Sequence, residues 1–179
     1  MRRLSLRPTT RGRQSGFSLV EALVALLVLS VGLLGIAGLF VESVRSSRTA
    51  LLRTQAIHLV GDMADRIRAN ATARDAYDTG AYAGAPAERD CAPTPDSAGG
   101  NCSSAALAED DLARWVAAVR GALPALDDAP PQAEVEYVEP AATGTPERYR
   151  ITVSWREPGE DLPLSYRTDV LIVPRAPLS

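Results

Sequence analysis

At 179 residues the chain is long enough for one domain and an appendage, and its formal charge of −3 hides an uneven distribution. Arg2, Arg3, Arg7, Arg11 and Arg13 crowd the first sixteen residues, which hold no acid; beyond them 14 basic side chains face 22 acidic ones. That balance of about −8 argues against a nucleic-acid partner. Every basic side chain is arginine, and the chain has one histidine, His58, and two cysteines, Cys91 and Cys102. A zinc site needs more ligands than these, so no metal or cofactor is expected.

Composition divides the chain into segments. Residues 1–16 are polar and basic, and read as extended or disordered. Residues 17–70 contain no proline, whereas 12 of the 13 prolines fall at or after Pro86. The stretch FSLVEALVALLVLSVGLLGIAGLF, residues 17–40, carries a single charge, Glu21. From Ala22 to Val41 run 20 residues with no ionisable group. At about 1.5 Å rise per residue that run spans a ~30 Å hydrocarbon core, and a helix satisfies its own backbone there.

The helical pattern continues over residues 41–70. Leu52, Ala56, Leu59, Met63 and Ile67 follow spacings of four, three, four and four, with His58, Asp62 and Asp65 on the opposite face. Glu42 and Arg45, and Asp62 and Arg66, stand at helical pair spacings. Asn70 is a plausible end residue. One helix from about Phe17 to Asn70 would be roughly 80 Å long, apolar all round in its first half and amphipathic in its second.

Residues 71–104 read as loop, punctuated by Gly80, Gly84, Pro86, Pro93, Pro95, Gly99 and Gly100. A second helix is expected near Leu107–Leu123. Leu112, Trp115, Val116 and Val119 form its apolar face, Asp110 or Asp111 lies in its early turns, and Pro124 ends it. Three alternating runs follow: Ala133/Val135/Tyr137, Tyr149/Ile151/Val153/Trp155 and Leu164/Tyr166/Thr168/Val170/Ile172. Their period of two and the turn-rich connections PAATGTP and EPGEDLP predict an antiparallel meander. Glu134 and Glu136 could face Arg148 and Arg150 across the first hairpin, or both sets could point to solvent. The fold expected is α+β: a long N-terminal helix packed on a small head, 71–179, with one further helix and three or more antiparallel strands.

The most informative unit is Gly16-Phe17-Ser18-Leu19-Val20-Glu21, with arginines before it and an apolar run behind. Read from the residues alone, it fits an ordinary secretory signal peptide, an unprocessed signal anchor or a prepilin. The apolar run is longer than a usual signal core, begins with a glutamate and flows into an amphipathic helix, which disfavours the first. GFSLVEALVALLVLSVG resembles the processing site of type IV pilins and pseudopilins. The resemblance implies that a membrane-embedded prepilin peptidase cuts after Gly16 and methylates the amine of Phe17. It makes residues 1–16 a leader, residues 17–40 a transmembrane and filament-core helix, and Glu21 the family's glutamate at the fifth mature position.

Physics agrees with that assignment. A carboxylate in hydrocarbon is expensive, so an intramembrane acid is a functional hypothesis by default. In the resembled family the glutamate pairs with the amine of a neighbouring subunit, and cleavage supplies that amine. The alternative for Glu21 is a side chain snorkelling to the interface without a partner. Gly32, Gly35 and Gly38 could serve close helix–helix contact or local unwinding; major pilins often carry a proline where this chain has Gly38.

Further along, DMADRIRAN at 62–70, the Trp-containing helix, the LPAL segment and RYRITVSWRE are similar to the PilV family of minor pilins, the type IV pilus modification proteins. That resemblance implies a role in starting or modifying a pilus. Its expected partners are prepilin peptidase, other pilins and minor pilins, and the inner-membrane assembly platform. It places the head in the periplasm before assembly and the subunit in a surface filament afterwards. A minor pseudopilin of type II secretion and a membrane-anchored periplasmic binding or adhesin domain are the alternatives. Cys91 and Cys102 have ten residues between them, and in an exported chain they could form one disulfide or remain two free thiols. No nucleophile elbow or phosphate-binding glycine loop is present, so the expected function is not enzymatic. Trp115 and Trp155 stand on apolar faces, as core residues do.

Overall fold

The structure is a computed structural model that describes residues 16–82, 84–91, 99–126, 129–142, 144–157 and 162–173. Arg2, Arg3, Arg7, Arg11 and Arg13, with Pro93 and Pro95, lie outside the described residues. The chain forms two compact units that meet between Ser46 and Ser47. A proline-free sequence lets one helix, α1, run unbroken from Leu19 to Ala69 through both.

In the first unit every described residue is exposed. In the second, α1 buries Leu52, Ala56, Val60, Met63, Ala64 and Ile67, with Leu59 half-buried. The buried face is thus wider than the expected stripe, because Val60 and Ala64 fill the turns between its members. Asn70 follows the helix; its amide nitrogen bonds the Arg66 carbonyl at 3.0 Å and its side chain donates to the Ser104 carbonyl at 2.8 Å. One residue thereby ends α1 and ties it to the next helix.

The segment read as loop contains two short 3-10 stretches, Ala71–Tyr77 and Thr79–Ala81. Ala73 and Tyr77 from the first are buried. Small residues let this stretch turn tightly and still deliver one aromatic to the core.

Helix α2 spans Ser104–Ala122 and starts a turn earlier than its apolar periodicity suggests. Ser103 sets the start: its hydroxyl accepts from the Ala106 amide at 3.2 Å, satisfying one orphan donor. The early start puts Asp110 and Asp111 at the end of the second turn, past the first turn where the helix dipole acts. The first turn holds no acid, and both carboxylates are buried. Leu112, Trp115 and Val119 face the core as expected, and the Trp115 indole donates to the Leu59 carbonyl of α1 at 2.8 Å. Pro124 follows the last turn.

Strands β1 (Gln132–Val138), β2 (Glu147–Trp155) and β3 (Leu164–Ile172) form an antiparallel meander in the order β1-β2-β3. Val135, Tyr149, Ile151, Val153, Trp155 and Val170 line its inner face and join α1, α2 and Tyr77 in one core. On the outer face Glu136 stands opposite Arg150 and bonds it at 2.8 Å, with Asp169 on the far side at 3.4 Å. Glu134 instead faces Thr152, and Arg148 lies between Val138 and Leu171, so one of the two expected cross-hairpin pairs forms. The outer edge of β1 is closed by the second 3-10 stretch: Thr79 Oγ1 donates to the Val135 carbonyl at 3.0 Å and accepts from the Val135 amide at 3.2 Å, while Asp78 accepts from the Tyr137 amide at 3.0 Å.

Candidate functional site

Gly16 and Phe17 lie just before α1, and the Ser18 carbonyl accepts from the amides of Glu21 and Ala22 at 3.0 and 3.2 Å. Glu21 therefore occupies the third helical position, where the helix dipole favours a carboxylate. Phe17 is 80 % exposed, so the junction after Gly16 is accessible within the chain.

Behind Glu21 the helix has no buried face at all until Leu52. Leu19, Val20, Leu23, Val24, Leu26, Leu27 and the apolar side chains through Val44 are all exposed. Ser30 is neutralised locally, its hydroxyl donating to the Leu26 carbonyl at 2.7 Å. The helix stays regular through Gly32, Gly35 and Gly38, and a Cβ at any of them would meet nothing within 4 Å. Packing within the chain places no demand on those glycines. α1 is long and apolar enough to cross a membrane.

The second unit holds polar groups that periodicity could not identify. Arg66 joins two carboxylates, Asp62 on its own helix at 2.9 Å and Asp111 on α2 at 2.8 Å. Burial opposes its charge, but the hydrogen bonds to Asp62 and Asp111 prevail and hold its pKa above the usual value. The Tyr77 hydroxyl donates to the other oxygen of Asp111 at 2.7 Å, and burial, with Asp111 beside it, pushes the phenol well up.

Asp110 turns the other way. It accepts from the Arg89 amide at 2.7 Å and from Arg114 Nε at 3.0 Å. Desolvation alone would raise its pKa, but these donors outweigh it and lower the carboxyl below its ordinary value. The same loop carries the disulfide between Cys91 and Cys102, whose Cα atoms stand 5.7 Å apart. The Gly100 amide bonds the Asp90 carbonyl at 2.9 Å beside it.

At the start of this unit the Thr49 hydroxyl donates to buried Glu157, which also accepts from the Trp155 indole at 3.5 Å. Glu157 opens the turn-rich EPGEDLP segment, so its sequence context signals a surface turn. Among the described residues no group of three or more His, Cys, Asp or Glu is placed to hold a metal ion.

The accessible junction, the acid at the third helical position and the uncovered apolar helix lie consecutively along one element. The polar networks instead fasten the second unit together. Residues 11–37 match the family model described as the prokaryotic N-terminal methylation motif, which covers Gly16, Phe17 and Glu21. Residues 38–113 match the Tt1218-like family model, described as type IV pilin Tt1218. No curated protein and no solved structure matches the chain. The two matches run consecutively from residue 11 to residue 113, the methylation-motif model first and the type IV pilin model directly behind it.

Proposed function

We propose that the chain is a minor type IV pilin that takes part in starting or modifying pilus assembly. On this reading prepilin peptidase removes residues 1–16 and methylates Phe17. Residues 17–40 hold the subunit in the inner membrane with the head, 71–179, in the periplasm. It then enters a surface filament through packing of its apolar helix against other pilins, docked by the assembly platform. Glu21 pairs with the amine of a neighbouring subunit, which offsets the desolvation of both charges.

The observation that carries the reading is a methylation motif placed on a helix whose first half exposes apolar side chains on every side. Such a surface needs lipid or other helices around it. The pilin match over residues 38–113 extends through the start of α2 and favours a pilus over a type II secretion pseudopilin. N-terminal sequencing and intact mass of the mature protein test the central step. N-methylated Phe17 is expected, and any other start overturns the assignment.

A further inference from the structure

Both cysteines are held by groups that belong to α2 or cap it. Asp110 is fully buried, and its carboxylate accepts from the Arg89 amide at 2.7 Å and from the Cys91 amide as well. Between these two donors stands Asp90, whose φ of 54° lies in the left-handed region. A residue in that conformation turns the amides on either side of it toward one point, forming a small anion-binding concavity, or nest. The anion in this nest is the side chain of Asp110. Desolvation works against its charge, and the two amides together with Arg114 more than offset it.

The second cysteine is reached from the same turn. The Asp90 carbonyl accepts from the Gly100 amide at 2.9 Å, two residues before Cys102. Cys102 in turn precedes Ser103, the cap of α2. A carboxylate of α2 thus sets Cys91 and the helix cap sets Cys102, with their Cα atoms 5.7 Å apart, a spacing that a disulfide spans. Asp111, next in sequence, bonds Arg66 and Tyr77 instead.

Two thiols 11 residues apart on a flexible chain meet at an effective concentration on the order of millimolar. Holding both in place before they react removes loop-closure entropy from the step and raises that value. We infer that Asp110 is a positioning residue for the oxidation of Cys91 and Cys102, its carboxylate holding the Arg89–Cys91 turn ready while both thiols are still reduced. The chemistry is thiol–disulfide exchange with a small disulfide. One cysteine thiolate displaces half of the small disulfide as a thiolate and forms a mixed disulfide with the other half. The second cysteine thiolate then displaces that half. Two protein thiols are oxidised, one small disulfide is reduced to two thiols, and the two thiol protons end on the released thiols. Asp110 takes no proton in either step and acts only on how often the two sulfurs meet.

Equilibration of the full chain in detergent with mixtures of reduced and oxidised glutathione tests this. Quenching by thiol alkylation and reading the mass shift gives the effective concentration of the pair. Asp110→Asn, which keeps the size but removes the charge, should lower it about tenfold. Asp90→Val disfavours the left-handed turn without touching α2 and should lower it to a similar extent, whereas Asp90→Asn tolerates that turn and should stay within twofold of the parent. Asp111→Asn loosens the neighbouring network without reaching the nest and should also stay within twofold. Fluorescence of buried Trp115 and Trp155 checks that each reduced variant remains folded, and if Asp110→Asn does not, Asp90→Val carries the test. An unchanged value in Asp110→Asn or in Asp90→Val, or an equal fall in Asp111→Asn, overturns the proposal.

Discussion

Arg66 offers a direct measure of burial against exposure, because one guanidinium holds two carboxylates at almost equal distance, 2.9 Å to Asp62 and 2.8 Å to Asp111. The side chain of Asp62 is 50 % exposed and that of Asp111 is 13 %. Asp62→Ala removes a solvated i,i+4 pair, for a cost of about 0.3–0.5 kcal/mol. Asp111→Ala also strips Tyr77 of its 2.7 Å acceptor, leaving a fully buried hydroxyl with contacts of 3.3 and 3.4 Å to the Arg66 carbonyl and Asn70. Arg66 keeps Asp62 and remains 32 % exposed, which reduces the cost of the broken ion pair. The sum is about 3 kcal/mol. With a urea slope of about 2 kcal/mol/M, the unfolding midpoint moves by roughly 1.5 M. Urea titration of the full chain in detergent, followed by fluorescence of buried Trp115 and Trp155, reads this directly. Equal midpoint shifts for the two variants would refute the reasoning, since distance alone would then set the energy.

Glu21→Ala is expected to leave membrane insertion intact and impair filament incorporation, compared by fractionation and by quantifying the subunit in sheared filaments. Unchanged incorporation would remove the charge-pairing role. The lowered carboxyl of Asp110 stabilises the fold above about pH 4, its unfolded range, and that contribution disappears as pH falls through the lower folded value. Urea midpoints between pH 5 and pH 2 should therefore fall less steeply in Asp110→Asn than in the parent chain. Replacing Cys91 and Cys102 together by serine should cost about 3 kcal/mol for a closed loop with a separation of 11 residues, and a reductant should cost the parent chain a similar amount.

The elements that dominate this molecule were legible because they rest on long-range repetition. The proline-free stretch 17–70, apolar all round and then carrying one apolar stripe, specifies the 51-residue α1, and three period-two runs specify the meander. Gly16 through Glu21 is a local string of chemistry, so it too could be read in one dimension. What periodicity could not supply was the destination of polar side chains. Asp110 or Asp111 is expected in the early turns of α2, but Ser103 caps the helix a turn upstream of the expected start and both side chains enter buried networks with Arg114 and Arg66. Tyr77 lay within a segment read as loop, and Glu157 opened an apparent turn, yet both are buried. Each depends on partners 34 to 108 residues away in sequence, and no local pattern encodes such meetings.

The uncovered first half of α1 has a consequence for how the molecule can travel. From Phe17 to Val44 it exposes seventeen large apolar side chains. At about 1.5 kcal/mol each, leaving lipid for water would cost on the order of 25 kcal/mol. No dissociation constant of ordinary size could supply a free aqueous population of such a chain. On the proposed pilin reading, a change of surroundings is therefore a lateral hand-over, in which each lipid contact is exchanged for a protein contact as it is lost. The rate of that exchange is governed by encounters in the plane of a membrane, and expression level per unit of membrane area becomes the relevant concentration.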